Sequence, residues 1–396
     1  MLLRPLMISM LLMPVALYAQ DGQVLTKQYD DGGIYEGTFQ GGLQHGSGTY
    51  KLPNGYEYSG DWVDGEIRGE GVARFPNGSV YEGAFVAGKP EGQGMIVFAD
   101  RSTYTGEWRD GRIEGEGVAD YADGRRYTGS FVNAVHEGQG VLEAPSGYRY
   151  EGGWVAGRKE GFGRISYADG STYEGGMSNN VRQGAGILRT PDGVIYEGDW
   201  SDGQINGEGI LTQPGGDVYE GTLIDGKREG RGIVRYANGD VYEGEFQGDR
   251  RHGQGTFTGT NGYEYVGDWV AGRLEGEGRV VYPDGSVYAG TFADDLAHGV
   301  GTITYADGAT YEGEWVAGVI EGQGRAEYPN GLVYEGGFVD AQNEGYGVMT
   351  FTDGYRYEGA WKDGLRHGEG RATYADGTIY EGGFANGQRD GQGTIT

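Results

Sequence analysis

The sequence predicts an all-β chain, an elongated single-layer antiparallel meander of sixteen β-hairpin repeats. Three observations carry that prediction. Tyrosine recurs every 23 residues, without insertion or deletion, from Tyr35 to Tyr380. The 84 glycines are concentrated in four columns of the same period. Pairs such as Asn54-Gly55, Asn77-Gly78, Asp123-Gly124 and Asp169-Gly170 separate consecutive copies and are flanked by strand-like residues. A length of 396 residues would otherwise suggest two or three globular domains, but strict self-similarity with a period of a few tens of residues points to a repeat array.

The first nineteen residues carry one charge, Arg4, an apolar stretch from Leu6 to Leu17 and no acidic residue. That is the pattern of a secretory signal peptide, with cleavage expected after Ala19. The stretch falls short of the ~20 apolar residues of a membrane span. The mature chain is therefore expected to be exported, periplasmic or secreted, and soluble. Residues 20–34 read as a short lead-in and residues 35–396 as the repeats, the last copy stopping after its second strand.

With each tyrosine counted as position 1, glycine occupies positions 3, 12 and 14 in all sixteen copies, and position 21 in fourteen of the fifteen copies that reach it, Arg101 being the exception. Position 5 is Phe or Trp in fourteen copies, Met177 and Leu223 being the substitutes, and position 16 is apolar or aromatic throughout. Alternate residues of a strand share a face. Positions 1, 3 and 5 then line one face, and position 2, Glu in eleven copies, points to the other. Glycines in facing strands leave room for the rings. The Asn-Gly and Asp-Gly pairs are expected to form type I′ turns, whose two central residues need positive φ. The other connection, positions 6 to 11, is expected to be the longer loop. Thirty-two strands at ~4.8 Å each would extend on the order of 150 Å. A single layer leaves its aromatic face to be covered by coiling, a second copy or a partner.

Two longer patterns overlie the period. Tryptophan fills position 5 at 62, 108, 154 and 200, then at 269, 315 and 361, so the alternation with Phe slips once. An offset of 207 residues aligns Gln44-His45-Gly46 with Arg251-His252-Gly253 and Tyr148-Arg149-Tyr150 with Tyr355-Arg356-Tyr357. A duplicated block of nine repeats, with its seam near residue 241, explains the slip.

The unit Tyr81-Glu82-Gly83-Ala84-Phe85 followed by Gly92-Gln93-Gly94 resembles the MORN repeat (membrane occupation and recognition nexus), over residues 35 to 396. The resemblance implies elongated β-hairpin arrays, often dimeric, that act as scaffolds, some of them linked to phospholipids.

Composition narrows the function. There is no cysteine, so neither a disulfide nor thiol chemistry is available. The net charge of −28 and the lack of basic runs longer than Arg125-Arg126 or Arg250-Arg251 make nucleic acid a poor partner. His45, His252, His298 and His367 recur at position 11, too far apart for shared ligation, and read, with His136, as exposed loop residues rather than a metal site. Carboxylates stand in repeating columns, so none is singled out as an acid or base; diffuse calcium binding by the acidic face stays open. The Gly-x-Gly elements lack the helix and lysine of nucleotide loops. No catalytic residue, metal or cofactor is expected. The candidate binding residues are the aromatic columns, Trp62, Trp108, Trp154, Trp200, Trp269, Trp315 and Trp361, with Tyr56, Tyr148, Tyr263 and Tyr355 at position 22 as expected surface rings. Their plain reading is packing against glycine; the sharper one is a ladder exposed in a groove. The expected function is a non-enzymatic extracytoplasmic scaffold that binds a protein partner or itself as a homodimer. The alternative is a binder of envelope glycan, peptidoglycan or lipid.

Overall fold

The computed structural model describes residues 24–396, and the expected signal peptide at 1–19 lies outside the described residues. Among the described residues there are thirty-three strands and no helix: β1 (Leu25–Gln28), β2 (Ile34–Gln40), β3 (Leu43–Lys51), β4 (Glu57–Val63) and so on in the same alternation to β33 (Gln388–Ile395). They fall into two compact units. One runs to Gly170 and takes in Met177–Asn180; the other holds Ser171–Gly176 and Val181–Thr396. Within the first, each strand from β1 to Arg158–Ser166 pairs antiparallel with the next. Within the second the same holds from Val181–Arg189 to β33. The all-β hairpin meander is as the period predicts.

The register explains the glycine columns. In the hairpin of β2 and β3, Tyr35 faces Tyr50 and Gly37 faces Gly48, and then the register shifts so that Phe39 faces Gln44. The extra residues of this bulge centre on position 12, where Gly46 has φ +74°. Glycine reaches that left-handed conformation without the clash a Cβ brings. Position 12 does lie opposite the next ring, Gly46 against Trp62, but its glycine is set by backbone conformation and not by room for the ring alone.

The two connections exchange the roles expected of them. The stretch at positions 6 to 11 is no loop. Its strands run to a two-residue turn at positions 7 and 8, with Val63 paired to Glu66 and positive φ at both Asp64 (49°) and Gly65 (88°). This is the type I′ signature. At the Asn-Gly site only the glycine is left-handed, Gly55 at φ 94°. Gly55 N–H donates to the Leu52 carbonyl at 3.1 Å and Leu52 N–H to the Tyr56 carbonyl at 2.8 Å. That is a three-residue loop closed by a glycine bulge, not a type I′ turn. Sequence reasoning failed here because both turn types need glycine at the same relative place.

The lead-in also has structure. β1 pairs with β2 through Leu25 to Gly37 and Lys27 to Tyr35, and Gly32 N–H donates to the Tyr29 carbonyl at 3.0 Å. Residues 25–34 thus repeat the second half of a copy, with Leu25 where position 14 has glycine.

Candidate functional site

On one face of each unit the core is a column of rings. Tyr35, Tyr58, Tyr81 and their equivalents are buried. Each position-5 ring after Phe39 stands edge-on to its own tyrosine and to that of the preceding repeat. Trp62 lies 5.7 Å from Tyr58 and 5.1 Å from Tyr35, and Trp269 lies 5.1 Å from Tyr265 and 5.3 Å from Tyr242. These are favourable edge-to-face geometries. The tyrosine ring occupies the space two glycines vacate, since a Cβ on Gly37 or Gly48 would come within 2.4 or 2.3 Å of Tyr35 Oη. Its hydroxyl donates to the Thr38 carbonyl at 3.0 Å. Burial pushes the phenols of Tyr35 and Tyr104 up to about 12, so they stay neutral donors.

All seven candidate tryptophans belong to this packing. Trp62, Trp108, Trp154, Trp200, Trp269, Trp315 and Trp361 are only 3–7% exposed. Each donates its Nε1–H to the position-14 glycine carbonyl of the preceding copy, from Trp62 to Gly48 at 3.3 Å through Trp361 to Gly347 at 3.2 Å. Packing within one chain covers the face. The position-22 tyrosines join the edge of this face rather than the opposite surface. Tyr56, Tyr148, Tyr263 and Tyr355 are half-buried and lie 5.3–6.3 Å from Phe75, Tyr167, Tyr282 and Tyr374. The alternation of faces holds only within a strand, and position 22 lies in the turn.

Position 10, which sequence reasoning passed over, lies across the column. Arg182 sits 3.9 Å from the Trp200 ring centroid and Arg251 4.1 Å from that of Trp269, within cation–π range. His136 occupies this column and is no exposed loop residue. Its ring stacks on Tyr127 at 3.6 Å, and Nε2 lies 2.6 Å from Tyr121 Oη. Burial, and then the nearby Arg125, lowers its imidazole to about 4. The one available signal was that His136 alone among the histidines departs from position 11. The position-11 side chains lie in strands, and most of them accept from the next copy's type I′ turn, as Glu91 does from Asp110 N–H at 2.7 Å and His298 from Ala317 N–H at 3.4 Å.

The reverse face carries columns 2, 13 and 15 around bare glycine backbone. A cavity of about 850 Å³ lies there in the second unit, lined by Glu197, Glu208, Glu220 and Glu243 with Arg231 and Ile210. A smaller one of about 640 Å³ repeats the same columns at Glu358, Glu369 and Glu381. On the aromatic face of the first unit, Phe75, Phe98, Trp108, Pro90 and Ile113 border about 590 Å³. Among the described residues no three His, Cys, Asp or Glu side chains cluster to hold a metal ion, and no helix is long and apolar enough to cross a membrane.

Sixteen consecutive segments match the MORN repeat, from residues 35–55 and 58–80 through 357–379 to 380–396. The chain belongs to the MORN-repeat family. MORN arrays serve protein or membrane interactions, and their all-β fold is typical of non-enzymatic repeat proteins. No curated protein matches this MORN chain. Among solved structures it is similar to the TCP domain of Drosophila melanogaster SAS-4, solved in complex with a proline-rich motif of Ana2, at 19% identity over 39% of this chain and 85% of that one, with a TM-score of 0.26. It is also similar to the TCP10 domain of Danio rerio CPAP, at 13% identity over 64% and 98% with a TM-score of 0.22. A third likeness is to Staphylococcus aureus virginiamycin B lyase, at 10% identity over 78% and 93% with a TM-score of 0.13. At those TM-scores the likenesses bear on neither fold nor function.

Proposed function

We infer that this MORN array is a non-enzymatic, extracytoplasmic scaffold that binds protein, a partner or a second copy of itself, along its repeated β surface. One observation carries the reading: the same surface columns recur through sixteen copies, so contact area accumulates along the chain, while among the described residues no acid, base or nucleophile stands apart from the repeating columns in a cavity. Arg4 and the apolar stretch from Leu6 to Leu17 support export. A glycan- or lipid-binding role through the tryptophans would have to act through indoles that are all packed.

The mature chain, tagged and incubated with envelope extract, should retain a protein partner saturably, or should elute with the mass of a dimer when mass is measured by light scattering. A strictly monomeric chain that retains nothing would refute the scaffold reading.

A further inference from the structure

The reverse-face cavity coincides with the longest run of free carboxylates in column 2. Glu197, Glu220 and Glu243 are successive and exposed, and among the described residues none forms an ion pair with them. Elsewhere in that column Glu151, Glu335, Glu358 and Glu381 are held by Arg149, Arg325, Arg356 and Arg371. The run falls at the seam between the first nine copies and the seven that follow, Glu220 in the ninth copy and Glu243 in the tenth. The cavity wall adds Glu208, and the one opposing cation is Arg231, so four carboxylates face a single guanidinium. The floor is glycine backbone, which lets a chain approach closely, and Ile210, Ile233 and Val266 give it apolar contact.

The spacing selects the conformation of the occupant. Column-2 carboxylates of successive copies stand two strands apart, about 9.6 Å at ~4.8 Å per strand. A β-strand returns a side chain to one face about every 6.7 Å, and an α-helix over seven residues about every 10.5 Å. A polyproline II segment does so every three residues, about 9.3 Å. Only this last period stays in step over three carboxylates.

We propose that the groove from Glu197 to Val266 binds an extended, polyproline II-type peptide segment that carries Lys or Arg at every third residue. Cationic side chains at i, i+3 and i+6 meet Glu197, Glu220 and Glu243 in turn, and the small or apolar residues between them lie on the glycine floor. This rests on the interaction-array reading above and names its partner's chemistry.

The test uses the full mature chain and a fluorescent peptide of three Lys-Pro-Pro units, read by polarisation. A permuted peptide of the same composition, its lysines grouped at one end, and free spermine serve as competitors. The wild type should bind the periodic peptide in a salt-dependent way. A triple variant, Glu197→Gln with Glu220→Gln and Glu243→Gln, should bind at least about tenfold more weakly, the sum of three partly screened charge pairs. A second triple variant in the same column, Glu36→Gln with Glu82→Gln and Glu312→Gln, should bind as the wild type does. Failure of the wild type to bind, equal affinity for the permuted peptide, equal affinity for spermine, or indifference to the first triple variant would each overturn the proposal. If the first triple variant still retains the envelope partner while the peptide does not bind, the groove inference fails and the scaffold reading stands. If the peptide binds and no partner or dimer is found, the reverse holds.

Discussion

A methyl group placed on Gly140 would lie 2.3 Å from Tyr127 Oη, whereas one placed on Gly161, at φ +74°, would meet nothing within 4 Å. The two glycines are kept for different reasons, and alanine separates them. Gly140→Ala drives a buried ring from its site and should cost about 3 kcal/mol, in the range of overpacked cores. Gly161→Ala strains only the backbone and should cost about 1 kcal/mol; urea denaturation of both variants measures the difference, and equal losses would show that ring packing is not what position 14 protects. His136 offers a test in pH. Its imidazole titrates at about 4 in the folded protein against an ordinary 6.5. As pH falls from about 6.5 to 4 the unfolded chain takes up a proton that the folded chain refuses, so stability is lost through that window and not above it. In His136→Leu the urea midpoint should fall less between those two pH values than it does in the wild type.

At the scale of the hairpin, the period placed the strands, and the even alternation placed Tyr35, Gly37 and Phe39 beside their neighbours. What residue types could not convey was the number of residues between the last paired positions. That number alone separates a two-residue turn at Asp64-Gly65 from a three-residue loop at Asn54-Gly55, because each needs a left-handed glycine. The half-copy at residues 25–34 was hidden for a similar reason: it keeps the turn and Tyr29 but has Leu25 in place of the glycine that marks the column. The site was less legible than the fold. Position 10 has no fixed residue type, from Pro90 to His136 to Arg182, so its place over the rings leaves no periodic trace. Arg101 tests the turn assignment directly. It sits at φ 72° where the other copies have glycine, a conformation that costs a residue with a Cβ about 1 kcal/mol. Arg101→Gly should therefore raise stability by about that amount in equilibrium denaturation; no gain would mean that this turn relaxes around the side chain.

At the scale of the chain, each copy makes its contacts with the copies on either side, and the stability of such an array approaches a sum of local and nearest-neighbour terms. Excision of residues 288–310 joins Val287 to Tyr311 and preserves the period. That protein should keep the same circular dichroism per residue, whereas removal of 288–298 alone breaks the register and should leave a protease-sensitive segment beside the junction. Partner binding should likewise weaken by steps as copies are removed, unless the groove at Glu197 to Glu243 is cut. The indoles give these experiments a built-in optical reporter. All seven donate to a glycine carbonyl one copy away at 3.2–3.3 Å, so their emission should form one narrow, blue-shifted band. Separation of a tryptophan-bearing copy from the copy before it hydrates one indole and leaves the others dark to the change. Fraying of the array would then register as a red shift of about one seventh of the light for each of the seven tryptophan-bearing interfaces lost, and fluorescence could count how many of those seven remain joined.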